Sequence, residues 1–176
     1  VTIASGATID ASGAEAGGTV LIGGDFHGTG QLARAQSTTI AAGAAITVDA
    51  LASGSGGRVA VWSDGATAFA GSISARGAGD GQGGYVETSG ASLAVAGSVN
   101  TRSANGANGT WLLDPTDLLI GTTLAATING AATNVAVEAS GSITVSADLA
   151  PSGSLGLAAG NSLFIGANIV MASNAN

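Results

Sequence analysis

Apolar and polar residues alternate over short runs along most of the chain, and small turn-forming residues separate one run from the next. The segments RVAV at 58–61 and SISA at 72–75 are examples, and SGS or GAGDGQ stand between such runs. Strict alternation over a few residues predicts a β-strand with one buried face, and glycine or asparagine between runs predicts tight corners. Helical spacing is absent over any useful length, so the pattern predicts an all-β fold.

The strand pattern also repeats at long intervals. Four segments begin alike: GGTV at 17, GGRV at 56, GGYV at 83 and the degenerate NGTW at 108. The last three start 27 and 25 residues apart, and a second series of strands, at 45, 72 and 98, steps by 27 and 26. From residue 134 the period shortens, and five apolar positions between 135 and 149 recur after 20 residues each. Periods of this length are typical of solenoids, whose coils close a core by stacking.

We therefore predict a parallel β-helix, one continuous solenoid with 25–27-residue coils over 1–121 and 20-residue coils over 122–176. Stacking in register places like residues over like, which predicts two interior columns. The first contains Val20, Val59, Val86 and Trp111, and the second contains Ile22, Val61, Thr88 and Leu113. A β-sandwich is the alternative, but it predicts frequent turns without a fixed long period.

Composition narrows the functional classes. Charged residues make up 9% of the chain, the net charge is −7, and all four basic residues are arginines. Nucleic acid binding needs several basic residues on one face, so we expect no nucleic acid partner. Cysteine is absent, which excludes disulfides and thiolate sites. The chain has neither a membrane-length apolar run nor the pattern of a signal peptide, and it begins inside a repeat, as expected of a fragment.

Several of these segments resemble a known family. The runs IGGDFHG at 22–28, GGRVAVWSDGATAFAGSISARG at 56–77, GGYVETSG at 83–90 and NGTWLLDPTDLLIG at 108–121 are similar to the filamentous-haemagglutinin-like exoproteins of bacterial two-partner secretion. The resemblance covers about residues 15–121 and is most specific at DPTDLLI. The family's secretion domain carries an Asn-Pro-Asn motif that this chain lacks, so the resemblance is to the shaft.

The resemblance implies a right-handed parallel β-helix in a large adhesin at the surface of a Gram-negative bacterium. It implies secretion through an outer-membrane transporter, adhesion to host or neighbouring cells through protein or glycan, and roles in biofilm and virulence. It implies neither catalytic residues nor a cofactor. Because unpaired strand edges invite further pairing, we also expect end-to-end self-association.

A few side chains could carry chemistry. His27 is the single histidine, and a metal site there would need Asp25 plus distant carboxylates, so we expect a turn histidine and no metal. Asp114 and Asp117 could form an acid–base pair, but DPTD is also typical of a turn, the interpretation we favour. The segment GAGDGQGG at 77–84 is one imperfect copy of a calcium repeat and predicts no site.

Other side chains are candidates for contact or modification. Trp62 and Tyr85 fall on outward positions and are candidate partner contacts. Asn108 begins an Asn-Gly-Thr sequon and is a candidate glycosylation site. Asp49 and Arg76 should be neighbours on adjacent coils, and we interpret them as a surface ion pair rather than a ligand site.

Two alternative functions stay open at this stage. One is a polysaccharide-degrading enzyme on the same fold, which would need a groove with clustered aspartate and arginine. The other is a repetitive binder of ice or glycan surfaces, which would need a flat face of regularly spaced threonines. The threonines that such a face would use do not recur at the coil period: Thr38, Thr39, Thr122 and Thr123.

Overall fold

The chain winds into a parallel β-helix in the computed structural model, which describes residues 1–171. Its strands form four sheets, and every pairing between these strands is parallel. Hairpins between successive strands, which a sandwich would require, do not occur among them. The predicted solenoid is therefore confirmed, and the sandwich alternative is wrong.

Each of the first four coils contributes one strand to each of three sheets. The first sheet has the order β1-β4-β7-β10, the second has the order β11-β8-β5-β2, and the third begins with β3, β6, β9 and β12. The strands are β1 Thr2–Ile3, β2 Thr8–Asp10, β3 Thr19–Ile22, β4 Ser37–Ile40, β5 Ala45–Thr47, β6 Arg58–Val61, β7 Ala66–Phe69, β8 Ser72–Ser74, β9 Tyr85–Gly90, β10 Ser92–Val95, β11 Ser98–Asn100 and β12 Thr110–Pro115.

The remaining coils are shorter and contain two strands each. The third sheet continues from β12 through β14 to β16, while β13, β15 and β17 form a fourth sheet. Because β12 pairs with β14, the third sheet runs without a break from the long coils into the short ones. The elements are β13 Leu118–Ile120, helix α1 Thr122–Gly130, β14 Asn134–Ala139, β15 Ile143–Val145, β16 Leu155–Ala159 and β17 Leu163–Ile165.

The interior columns have the predicted register. Val20, Val59, Val86 and Trp111 pair in sequence, as do Ile22, Val61, Thr88 and Leu113. All five predicted 20-residue matches also pair across adjacent coils. The tryptophan fits a valine column because its indole N–H donates to Thr88 Oγ1 of the coil below at 3.0 Å. A buried N–H without an acceptor would cost stability, so the threonine on the second column matches the tryptophan on the first.

The repeated glycine pairs form the corner that leads into the third sheet. At this corner the N–H groups of Gly57, Gly84 and Gly109 donate across the coil to carbonyls that follow the second sheet, at 2.7–2.8 Å. The backbones approach so closely that a Cβ on Gly83 would lie 1.8 Å from Thr101 O. Glycine recurs here because the corner has no room for a side chain.

The expectation that helical segments are absent is wrong at one place. Helix α1 spans nine residues, Thr122–Gly130, and buries Leu124, Ala125 and Ile128 against the coil. Nine residues give too few turns for the 3.6-residue period to stand out from a strand pattern. The helix occupies the position where the coil length changes, and no helix among residues 1–171 is long and apolar enough to cross a bilayer.

Candidate functional site

A loop leaves the coil after β3 and lies against the outer face of the third sheet. We call residues 23–36 the flank loop. Two of its glycines, Gly24 and Gly28, pack on the ring of Trp62, where an added Cβ would lie 2.7 and 2.4 Å from ring atoms. Arg34 contacts the same ring, with its guanidinium carbon 5.6 Å from the centroid, and pairs with Asp64. Trp62 is therefore outward-facing as predicted, but part of its ring is covered by the loop.

At the centre of the flank loop a short 3₁₀ turn, Phe26–Gly28, places an aromatic and an imidazole on the sheet. Asp25 caps this turn by accepting a hydrogen bond from the Phe26 N–H at 2.9 Å. The Phe26 ring lies 5.6 Å from that of Tyr85, and the Arg58 guanidinium stands 4.2 Å from the Phe26 centroid. Tyr85 is thus half-buried within a Phe26–Arg58 cluster. Burial and the negative charge of Glu87 raise the pKa of Tyr85 to about 12.

Beneath this turn lies a carboxylate with no exposed surface. Glu87 projects outward from β9, yet it is 0% exposed because the flank loop covers it. The His27 N–H donates to both of its oxygens, at 3.0 and 3.1 Å, and Ser89 Oγ donates to Oε1 at 2.8 Å. Burial raises the pKa of Glu87, while the hydrogen bonds from Ser89 and His27 lower it.

The imidazole of the same histidine reaches a second carboxylate on the next coil. His27 Nδ1 lies 3.7 Å from Asp114 Oδ2, and the side chains of His27 and Asp114 are 50% and 32% exposed. Burial raises the pKa of Asp114, and the nearby His27 opposes that shift. One ligand atom from each of His27, Glu87 and Asp114 lies within 4.8 Å of the others, a spacing that could accommodate a metal ion.

Sequence reasoning identified His27 and Asp114 separately but did not bring them together. It named Asp25 as the metal partner of His27, and Asp25 instead caps the 3₁₀ turn. Glu87 was missed, although the register gives a signal: it pairs with Ala60 and Leu112, so it is a carboxylate in an otherwise apolar outward column. The conformation of the flank loop, which brings His27 there, has no counterpart in the repeats.

The predicted Asp114–Asp117 pair is separated. Asp114 lies in β12 and joins His27, so its interpretation as a turn residue is wrong. Asp117 accepts a hydrogen bond from the Ser142 N–H at 2.7 Å, which confirms corner chemistry at that position. The calcium-like segment 77–84 contributes no ligand to the cluster, which among residues 1–171 is the one group of three His, Cys, Asp or Glu side chains at ligand spacing.

The remaining candidates lie on other parts of the surface. Arg76 binds Asp49 through Nη2 at 2.7 Å and Nε at 2.9 Å, which confirms the ion pair. Asp49 is 2% exposed and also accepts from Ser74 Oγ and the Arg76 N–H, so the pair is a buried network and not the surface contact expected. Asn108 is exposed, and its side-chain oxygen accepts from the Ser103 N–H.

The four threonines considered for a repetitive face do not form one. Thr38 is fully buried and donates to Trp62 O at 2.8 Å, whereas Thr39 is exposed on β4. Thr122 and Thr123 begin α1 and are exposed there.

Comparisons of this chain with protein-family models, with curated proteins and with solved structures gave no match. The resemblance to two-partner-secretion exoproteins therefore stays a prediction from the sequence.

Proposed function

We propose that this chain is a non-catalytic shaft segment of a large adhesive exoprotein on the surface of a Gram-negative bacterium. The observation that carries the proposal is the unbroken third sheet, in which six parallel strands stack through long and short coils alike. At a strand spacing of about 4.8 Å such a stack is a stiff element that extends along one axis. A rod of this kind holds binding regions away from the cell that secretes it.

The edges of the sheets support a role in a longer assembly. Strands β16 and β17 pair on one side with β14 and β15, and their other edges carry no strand among residues 1–171. Leu163 and Ile165 continue the column of Ile143 and Val145, and they are 43% and 49% exposed where the lower pair is 0% exposed. Further coils or a second copy would cover both the edge and these side chains.

The chemistry of the surface favours adhesion over catalysis. Glu87 has no exposed surface, so a polysaccharide cannot contact it. The groove that contains Arg76 and Arg102 has no carboxylate in its lining, in contrast to the clustered acids and arginines of a polysaccharide-cleaving groove. The partly covered rings of Trp62 and Tyr85 are the contact surface we assign to a protein or glycan on another cell, and transport through an outer-membrane partner belongs to the same proposal.

The test presents the chain on beads to cultured epithelial cells under flow. We expect beads coated with the protein to be retained better than albumin-coated beads, and we expect Tyr85→Ala to lower retention. Leu119→Ala is the matched control, because Leu119 is 64% exposed on the fourth sheet, away from the flank loop. Retention equal to that of albumin would contradict the adhesive function.

A parallel assay addresses the enzyme alternative. The protein is incubated with pectins and other acidic polysaccharides, and new reducing ends and unsaturated products are measured. We expect no product. Product release that disappears in Asp114→Asn would instead establish the enzyme.

A further inference from the structure

The structure assigns a divalent metal site to His27, Glu87 and Asp114, with zinc as the ion these ligands fit best. The site would fasten the flank loop to the outer face of the third sheet. It adds a binding function to the shaft, and it does not depend on the adhesive role proposed above.

The donor set is of a kind that binds borderline divalent cations. One imidazole nitrogen and two carboxylate oxygens, with a water as fourth ligand, form a common tetrahedral arrangement around zinc. Calcium and magnesium prefer sites built from oxygen alone, and imidazole favours the later transition metals. Since the chain has no cysteine and one histidine, this is the place where a nitrogen or sulfur side chain can join two acids.

The distances are close to those that a bound ion requires. Ligands about 2.1 Å from a tetrahedral zinc stand roughly 3.4 Å from one another. His27 Nδ1 and Asp114 Oδ2 are already 3.7 Å apart, and all three ligand atoms lie within 4.8 Å. Because the side chains of His27 and Asp114 are 50% and 32% exposed, each can rotate by the small amount needed without disturbing the core.

Glu87 forms a fixed base for such a site. Its Oε1 accepts hydrogen bonds from Ser89 Oγ and the His27 N–H, whereas Oε2 accepts from the His27 N–H alone. A carboxylate oxygen offers two lone pairs, so Oε2 retains one for a metal. Hydrogen bonds that orient a ligating carboxylate are a regular feature of metal sites, and here they are built into the loop and the strand.

The balance of charge also calls for a cation. Among residues 1–171 no lysine or arginine forms an ion pair with Glu87 or Asp114. Glu138 lies near enough for its negative charge to act on Asp114. A divalent ion would neutralise the two ligating carboxylates, which the single imidazole cannot do.

The ligands come from three different coils, so the ion would act as a clamp. His27 follows the first coil, Glu87 belongs to the third and Asp114 to the fourth. Binding would tie the flank loop, with Phe26 and Gly28 on their aromatic partners, to the rigid stack. We infer that the metal reduces opening of residues 23–36 while leaving the coils unchanged.

The experiment uses the full chain without a histidine tag, after dialysis against a chelator. Calorimetric titration with zinc chloride should give one ion per chain with a dissociation constant in the micromolar range or below. His27→Asn and Asp114→Asn should each weaken binding roughly tenfold or more. Asparagine is chosen at 27 because that residue has φ 54°, a left-handed conformation that asparagine tolerates.

The matched control is Asp117→Asn, which changes a carboxylate on the same coil outside the cluster. It keeps an oxygen to accept from the Ser142 N–H, and its zinc affinity should stay within about twofold of the parent. Circular dichroism of each variant establishes that the fold is retained. Equal weakening in Asp117→Asn, or unchanged affinity in both cluster variants, would overturn the proposal.

Two further measurements do not depend on any variant. The single imidazole gives one Hε1 resonance in the proton NMR spectrum, and it should shift on addition of one equivalent of zinc. Hydrogen exchange should slow over residues 23–36 and stay constant in β6 and β9. An unmoved imidazole resonance at saturating zinc would overturn the site even if the variants failed to fold.

Discussion

The long coils, residues 1–121, and the short coils, residues 131–171, turn their corners by different means. In the long coils the corner before the third sheet is made of glycine pairs whose backbones touch those of adjacent coils. In the short coils polar side chains hold the corners. Asn134 Oδ1 accepts from the Ser154 N–H at 3.0 Å, and Asp148 Oδ1 accepts from the Asn168 N–H at 2.9 Å, each reaching one coil upward.

This difference teaches how much a coil can carry. A corner of bare backbone allows close approach across the coil, and the long coils have room for three strands and for the flank loop. A corner held by asparagine or aspartate needs fewer residues and leaves two strands per coil. The first kind depends on the absence of a side chain, and the second depends on one hydrogen bond at a time, worth about 1 kcal/mol.

The comparison is broken most severely by adding a methyl group to a glycine corner. In Gly83→Ala the new Cβ would lie 1.8 Å from Thr101 O and 2.3 Å from Gly109 N, both backbone atoms that cannot move aside. We expect a loss of about 3 kcal/mol or more in the free energy of unfolding, measured by chemical denaturation, or a failure to fold.

Gly156→Ala is the control, since Gly156 lies in β16 of a short coil and an added Cβ there meets nothing within 4 Å. Its free energy of unfolding should change by less than about 0.5 kcal/mol. Similar denaturation midpoints for the two variants would show that the glycine corner is not closely packed.

A smaller effect distinguishes the interiors of the two regions along one column. Leu113 and Leu157 both pair with Val137, one from below and one from above. Leu113 is 0% exposed, while Leu157 is partly buried. Leu113→Ala should cost about 2–5 kcal/mol in the free energy of unfolding, because it leaves a cavity in a sealed core.

Leu157→Ala should cost less than half as much, since its side chain has less buried area to lose. The two variants are compared by denaturation of the same preparation series under identical conditions. Equal losses would mean that the short coils seal their interior as well as the long ones do.

The stack was predictable from the sequence because stacking in register repeats the chemistry of each coil. Val59 and Val86 share a column for the same reason that the segments GGRV and GGYV look alike, and the pairing follows from counting. Trp111 was placed in the same column by position alone, and its partner Thr88 was found on the second column by the same count. Helix α1 was missed because it interrupts the repeat with nine residues of its own.

The cluster on the third sheet could be predicted only in part. The count shows that Glu87 and Asp114 both project outward, two residues further along in the case of Asp114. It says nothing of the flank loop, a single insertion whose path depends on the fit of Gly24 and Gly28 to one tryptophan. Contacts that repeat leave a pattern in a sequence, whereas contacts made once do not.

The mildest test asks whether the flank loop seals the sheet in the long coils, and Tyr85 serves as the probe. It is the single tyrosine, so absorbance of the phenolate near 295 nm reports on it alone. Burial, with the charge of Glu87, raises its pKa to about 12, against about 10 for the unfolded chain. The raised pKa means that Tyr85 stabilises the fold fully below pH 10 and loses that contribution as the pH rises through 12. We expect a titration midpoint near 12 while circular dichroism shows a folded protein, and near 10 in concentrated guanidinium chloride. A midpoint near 10 in the folded protein would mean that the loop leaves the ring open to water, and that the long coils are no better covered on this face than the short ones.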